Sequence, residues 1–486
     1  MSETKMPETK KDQLSRRGFL GATALAGALS GIAMFGGKNS VLGPREAEAK
    51  TYEKIDDVVE IDMDIFERYD VKRTAFQHSK AYSSPVPGAY EPHPDDDPLF
   101  VEVKSGKNVE AFVKGDPGYT AVDYAAYYGG QATWMTTGAF MTGQGNAWDS
   151  VPSRIMEDGS IVPIGTLYGQ SSKNFPAAPG GKFMDVAEKQ YEFESPEQAS
   201  YAVKKACKMF GADLAGVTDY DERWIYSEEP YFPTDLDGKP IKEAVDLHRP
   251  IDMGFTPKSV IVHGHEMDYE SMKAIGMVSE SAVMVAYSQM AEVGLRIAKF
   301  LRQMGYNSYH AGNNASSNVP ETIRAGLGES CRMGIAVSKE FGPRFRTGTV
   351  YTDLVLAPDP IKTFGVKEFC EVCQVCTDAC PSGAISDKSF YDPENKPANI
   401  STQAGVQKYC VDAQKCYYQW AVMGNGCGIC ISVCPYNKPQ TWNHDLVKVV
   451  TLIPGLNSMA RYFDHFFGFG QIATAEELTE FWHRAI

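Results

Sequence analysis

From about residue 195 onward the apolar positions fall into a readable rhythm. Val283, Tyr287, Met290, Gly294, Ile297, Leu301 and Met304 recur at alternating steps of four and three. That is the spacing of one helix face, so a long helix is predicted over residues 281–304, stopped by Gly305. Ser195-Pro196-Glu197-Gln198 reads as a capping box with proline at the first helical position, opening a helix that ends at Gly211. Short β-rich runs predict strands over 213–217, 259–263, 306–311 and 347–356, with a short helix opened by Pro320 between the last two. Strands alternating with helices imply an α/β (α+β) core whose sheet need not be purely parallel. Residues 50–190 are less periodic and rich in Pro, Gly and aromatic side chains; Asp95-Asp96-Asp97 and Pro85-Val86-Pro87-Gly88 read as solvated loops. Trp134, Phe140 and the Tyr124, Tyr127, Tyr128 group either line an apolar pocket or fill ordinary core.

The 486 residues are enough for two to three domains, and 43% hydrophobic with 22% charged residues is ordinary for a globular chain. The net charge of −15 argues against nucleic acid as a partner, because phosphate contacts need clustered basic side chains. The first residues are different in kind. A polar stretch precedes Ser15-Arg16-Arg17-Gly18-Phe19-Leu20, an apolar run reaches about Phe35, and Ala47-Glu48-Ala49 closes the segment. This is the pattern of a twin-arginine export signal over residues 1–49, with the mature protein starting near Lys50. The apolar run is shorter than the roughly 18–20 residues of a spanning helix and is diluted by Gly, Ala, Ser and Thr. No later segment is long and apolar enough to span a bilayer, so membrane attachment would require a separate partner. The twin-arginine route moves folded proteins, which suits a protein that receives its cofactors before export.

The cysteines say which cofactors. Eight of the eleven form a pattern, beginning with Cys370-x2-Cys373-x2-Cys376-x3-Cys380-Pro381, the bacterial ferredoxin run. A second run, Cys427-x2-Cys430-x3-Cys434-Pro435, supplies only three ligands, and its missing member is Cys416 or Cys410. In two-cluster ferredoxins the last cysteine of each run crosses to the other cluster. One [4Fe–4S] cluster then takes Cys370, Cys373, Cys376 and Cys434. The other takes Cys380, Cys427, Cys430 and one of the upstream pair. A disulfide framework is opposed by the odd count, the tight C-x2-C steps and the Cys-Pro endings. Tetrahedral zinc does not need this crosswise pattern. Cys207, in an amphipathic helix, and Cys331, in an apolar turn, read as core thiols. The module needs only about residues 370–435, and the roughly 300 residues before it favour an enzyme over a bare electron carrier.

Gly326-Leu327-Gly328 lacks the rest of a dinucleotide fingerprint, and no Ser/His/Asp hydrolase signature is present. Instead, a series of short motifs leads into the cysteine runs. They are Gly305-Tyr306, Gly312-Asn313-Asn314, Ala325-Gly326-Leu327-Gly328-Glu329, Gly342-Pro343-Arg344-Phe345-Arg346 and Thr352-Asp353-Leu354. Together they resemble the reductive dehalogenase family, and the leader agrees with its respiratory branch. The likeness is good over about residues 280–440 and poor over the N-terminal third. Epoxyqueuosine reductase shares the architecture, but it is cytoplasmic, which the leader opposes. A periplasmic electron-transfer protein is the non-enzyme alternative.

The resemblance implies a nitroreductase-like core that buries a corrinoid, followed by the ferredoxin-like module. The resulting order is 1–49 signal, 50–190 pocket-contributing region, 191–365 corrinoid-binding core, 366–440 two-cluster module and 441–486 extension. It implies a corrinoid bound base-off, since Asp246-Leu247-His248-Arg249-Pro250-Ile251 lacks the glycine of the histidine-donating motif, leaving His248 a loop residue. It favours Cys416 as the eighth ligand. It implies Tyr287 as proton donor with Asn313 and Arg346 beside it, 26 and then 33 residues further on. Phe76, Trp134 and Phe140 match the substrate-pocket region loosely. The implied reaction replaces halogen by hydrogen in an organohalide, with cluster electrons producing Co(I), as the terminal step of organohalide respiration. The implied partners are a small integral-membrane anchor and a quinol-linked electron donor, at the outer face of the cytoplasmic membrane.

Overall fold

The structure, a computed structural model, describes residues 50–75, 93–104, 115–131, 150–155, 161–163, 189–230, 232–234, 248–251, 253–312, 315–439 and 470–484. Its centre is a four-stranded sheet with the spatial order Leu214–Asp219, Ser259–Glu266, Phe345–Thr352, Ser308–Ala311. Every neighbouring pair in it is antiparallel. The core is therefore of the α+β kind. Residues 259–265 are buried without a break, because both faces of this strand are covered. Ile261 and Val350 meet Val203, Ile297 and Leu301 on the face under the helices Pro196–Met209 and Met277–Gln303. Val260, Val262 and Tyr351 meet Tyr309 and Ala325 on the other.

The long helix starts four residues before the predicted 281, because Gly276 and the first turn are held by other chain segments. Met277 N donates to Gly118 O at 2.8 Å, and Asn425 Nδ2 donates to Gly276 O at 3.1 Å. Ser195 caps its helix through Oγ, which accepts from Gln198 N at 3.2 Å, but the reciprocal half of the box is shifted. Gln198 Oε1 accepts from Glu194 N at 2.8 Å instead. Pro320 is the third residue of Asn318–Arg324 rather than its first. The strand predicted over 347–356 lies over Phe345–Thr352, and those predicted to end at 217 and 263 run on to Asp219 and Glu266.

The region before residue 190 is more regular than its weak periodicity suggests, with helices at Pro98–Lys104 and Ala121–Gly130. Only part of the expected acidic loop is solvated. Asp96 accepts from Gln414 Nε2 at 2.8 Å, and Asp97 Oδ1 accepts from Leu99 N at 2.9 Å at the start of a helix. Strand Lys50–Tyr52 pairs antiparallel with Ile361–Thr363, next to the cysteine module. No helix among the described residues is long and apolar enough to cross a membrane.

Two residues of the Gly342-Pro343-Arg344-Phe345-Arg346 motif explain how core and module join. At Gly342 (φ +60°) a Cβ would lie 2.1 Å from Tyr436 O, so only glycine fits this approach of two backbones. Two residues on, the buried Arg344 donates to Glu266, to Met267 O at 2.7 Å and to Lys438 O at 3.3 Å.

Candidate active site and iron–sulfur walls

The cysteine module is built from short helices, Val366–Cys373, Val375–Ala379, Ala413–Met423 and Ile429–Ser432. The first is started by a side chain from elsewhere. Glu329 accepts from Phe364 N at 2.7 Å and from Lys367 N at 3.0 Å, occupying donors that a helix N-terminus leaves open. Burial still pushes the Glu329 carboxyl up, against those backbone bonds. Between the first two helices Gln374 has φ +53°, the one non-glycine residue with positive φ among those described. This sharp break lets Cys370, Cys373 and Cys376 face one space.

All eleven cysteines are unpaired, so no disulfide framework exists. Cys370, Cys373, Cys376 and Cys434 line one cavity together with Arg332, Phe369 and Tyr436. Cys434 thus sits with the run it does not belong to. Cys416, Cys427, Cys430 and Cys380 come together as a second set. The Cys416 thiol is pushed up to about 12 by burial and then by the neighbouring Cys427 and Cys380. Cys430 is raised by burial and then by Cys416 and Cys427. Cys410 faces elsewhere, with its Sγ 3.7 Å from Asn395 O and 3.9 Å from Lys408 O. Among the described residues no three Cys, His, Asp or Glu side chains converge on a point suited to a single metal ion.

A second constellation lies between sheet and long helix. Arg346 is the cross-strand partner of His265, and directly paired residues share a face. That face is the one the helix covers, so Arg346 reaches Tyr287. Its Nη2 donates to Tyr287 Oη at 2.5 Å, and its guanidinium carbon lies 3.8 Å from the ring centre. Arg346 Nε is buried with no acceptor among the described residues. Two residues unmarked by the sequence reading join this pair. Glu280 lies two turns earlier on the helix. Burial raises its carboxyl, Arg346 opposes the rise, and its Oε2 accepts from Gly426 N at 3.1 Å. Tyr226 is pushed up to about 12 by burial, with Tyr287 among its neighbours. Glu280 carried no signal beyond its heptad-like offset from Tyr287.

The same face holds His263 and His265, with Nδ1 of the first 2.9 Å from Nε2 of the second. Burial, then His265 and His310, depress His263 well below its ordinary value. Asn313, Phe76, Trp134 and Phe140 lie outside the described residues. The tyrosine group does not face one pocket: Tyr128 is exposed on the Ala121–Gly130 helix, while Tyr127 lies near Glu280.

Residues 369–437 match the 4Fe-4S double cluster binding domain. The tetrachloroethene reductive dehalogenase of Desulfitobacterium hafniense is 36% identical over 400 residues, 75% of this chain and 71% of that protein. The enzyme of the same name from Sulfurospirillum multivorans is 29% identical over 504 residues, covering 98% and 94%. A solved reductive dehalogenase, described as suggesting a mechanism for B12-dependent dehalogenation, superposes with a TM-score of 0.57 at 19% identity. The superposition spans 87% of this chain but about half, 49%, of that one, and it speaks for the fold.

An α+β core joined to a double-cluster module, with these relatives, defines a redox enzyme of the carbon–halogen bond. The chain belongs to the reductive dehalogenase family. The matched module is of the kind that binds two [4Fe–4S] clusters.

Proposed function

We propose that this enzyme is the terminal reductase of an organohalide respiration, acting on a small chlorinated alkene, and that Tyr287 and Arg346 manage its proton. The chloroethene class is suggested by the two relatives named above. The observation that carries the reading is the Arg346–Tyr287 hydrogen bond on the face between sheet and helix. When bound, the corrinoid supplies the electrons that break the carbon–halogen bond. What leaves the chain's own side chains to do is proton delivery. A guanidinium held against the Tyr287 oxygen offsets the negative charge left there when the proton departs. Arg346 Nε adds a buried donor with no acceptor among the described residues, which fits a pocket that closes around a polar cofactor or a departing halide.

We read Cys370, Cys373, Cys376 and Cys434 as ligands of a first cluster and Cys380, Cys416, Cys427 and Cys430 as ligands of a second. The second is the nearer to the reaction, because Gly426, beside Cys427, bonds Glu280 on the helix that carries Tyr287. Electrons then enter at the first set. We further propose a nitroreductase-like core, with 191–365 as its bounds and 366–440 as the module. Export and peripheral attachment through a small membrane anchor, with a quinol-linked donor, rest on Ser15-Arg16-Arg17-Gly18-Phe19-Leu20. Cell fractionation of an Arg16→Lys/Arg17→Lys variant tests the export: retention in the cytoplasm supports it, and normal processing counts against it.

The test of the activity is anaerobic halide release by corrinoid-reconstituted enzyme across chloroethenes, chloroalkanes and halophenols. Turnover confined to halophenols would sink the chloroalkene reading.

A further inference from the structure

Cys331 belongs to neither cysteine run and lies outside the matched span 369–437. It nevertheless lines the same cavity as Cys370, Cys373, Cys376 and Cys434. It sits in the turn between Glu329–Ser330 and Ala336–Val337, and that turn is held on every side. Cys331 N donates to Ile335 O at 3.1 Å, and Gly334 N donates to Cys331 O at 3.0 Å. The next residue, Arg332, is fastened to the first ligand run itself. Its Nε and Nη2 donate to Cys370 O at 3.0 and 2.9 Å, and its Nη1 donates to Ser386 O at 2.9 Å and Lys388 O at 2.7 Å. Backbone and neighbour are thus committed, and the buried thiol is fixed at the wall. Among the described residues the second set has no such extra cysteine. Cys410 faces the Asn395 and Lys408 carbonyls, and Cys207 lies in the apolar core.

We infer that Cys331 is a positioning residue of the first cluster, donating its S–H to a cluster or ligand sulfur and raising that cluster's reduction potential. Hydrogen bonds to the sulfurs are among the levers that set such potentials, since a donor favours the more negative, reduced cluster. A thiol is a weak donor, but inside a dry cavity it has no competing water. The inference rests on reading Cys370, Cys373, Cys376 and Cys434 as the ligands. It gives the fifth sulfur a use at the end where electrons enter: it keeps that cluster reducible.

The experiment compares wild type, Cys331→Ala and Cys331→Ser, purified anaerobically as full holoenzyme, by iron and labile-sulfide analysis and by EPR-monitored redox titration. All three should hold about eight irons. In Cys331→Ala one of the two redox waves should move negative. The reduced fraction of that cluster at a fixed potential near its midpoint should fall about threefold or more. For a one-electron couple a tenfold change is about 59 mV. Cys331→Ser keeps a donor of similar size and should hold the wave at or above its wild-type position. Two unmoved waves in a fully loaded Cys331→Ala protein would overturn the inference. So would a negative shift in Cys331→Ser, or a fall to about four irons in Cys331→Ala, which would make Cys331 a ligand. The ligand reading fails separately, if Cys370→Ala retains about eight irons.

Discussion

In the cysteine module the sulfurs of each run stand three or four residues apart, on short helices and the turns that close them. Tyr287 and Arg346 are 59 residues apart and meet only because a helix lies across one face of a sheet. The first kind of chemistry is written into local spacing, and its partners find each other wherever the short helices fold. The second depends on strand register: sliding the Phe345–Thr352 strand by one residue would turn Arg346 away from the helix. Among the contacts that join the two, the loop before Cys427 bonds Glu280 on the helix that carries Tyr287. Damage to the module should therefore abolish electron supply outright, whereas damage to the pair should leave electrons flowing and slow only the proton.

The largest effect is expected at Cys416. Cys416→Ala should lose or convert one cluster, about four of eight irons, and with it essentially all halide release. Cys410→Ala should keep both clusters, because its sulfur faces backbone carbonyls. Iron analysis with EPR decides this, and the opposite pattern would exchange the two assignments. Arg346→Gln should come next. It keeps a donor near Tyr287 Oη but removes the charge, so turnover should fall on the order of tenfold to a hundredfold, the worth of a charged hydrogen bond. Clusters and corrinoid should be retained. An unchanged rate would mean that the guanidinium does not stabilise a phenolate.

The smallest effect concerns stability and pH. Burial lowers His265 to about 4 and His310 to about 3 from an ordinary 6.5. The unfolded chain therefore binds more protons than the folded one between pH 6.5 and about 4. Stability from these groups is complete above pH 6.5 and is lost as pH falls toward the folded-state values. At pH 5 the loss should be roughly 2 kcal/mol per histidine. Denaturant unfolding at pH 7 and pH 5 should show this, with a shallower dependence for His265→Gln. Equal slopes for the two proteins would remove His265 from the balance.

What was legible in the sequence follows the same division. The ferredoxin runs could be read from spacing, and the two-cluster pattern placed Cys434 beside the first run, where it lines the same cavity. The helix face bearing Tyr287 was equally clear from its four-and-three rhythm. The link from Tyr287 to Arg346 was available only through resemblance, since nothing local marks a partner across a sheet. The antiparallel sheet could not be chosen beforehand, because short strands set between helices carry no local sign of the direction in which they pair. Cys331 read as a core thiol because it stands 39 residues from the first run; Arg332, which ties its turn to Cys370 O, has no spacing signature. The buried His263–His265 pair likewise gave no sign, as histidines at i and i+2 suit many surfaces.

The central claim is that Tyr287, hydrogen-bonded by Arg346, delivers the proton. Tyr287→Phe keeps the ring, its packing and its neighbours, and removes only the phenolic O–H. The measurement is anaerobic halide release by this variant, with iron and corrinoid content matched to wild type. The account predicts intact loading and turnover reduced about 10²–10⁴-fold, the usual worth of a positioned general acid. A fully loaded Tyr287→Phe enzyme turning over near the wild-type rate would contradict it, and would leave Tyr287 as packing between helix and sheet.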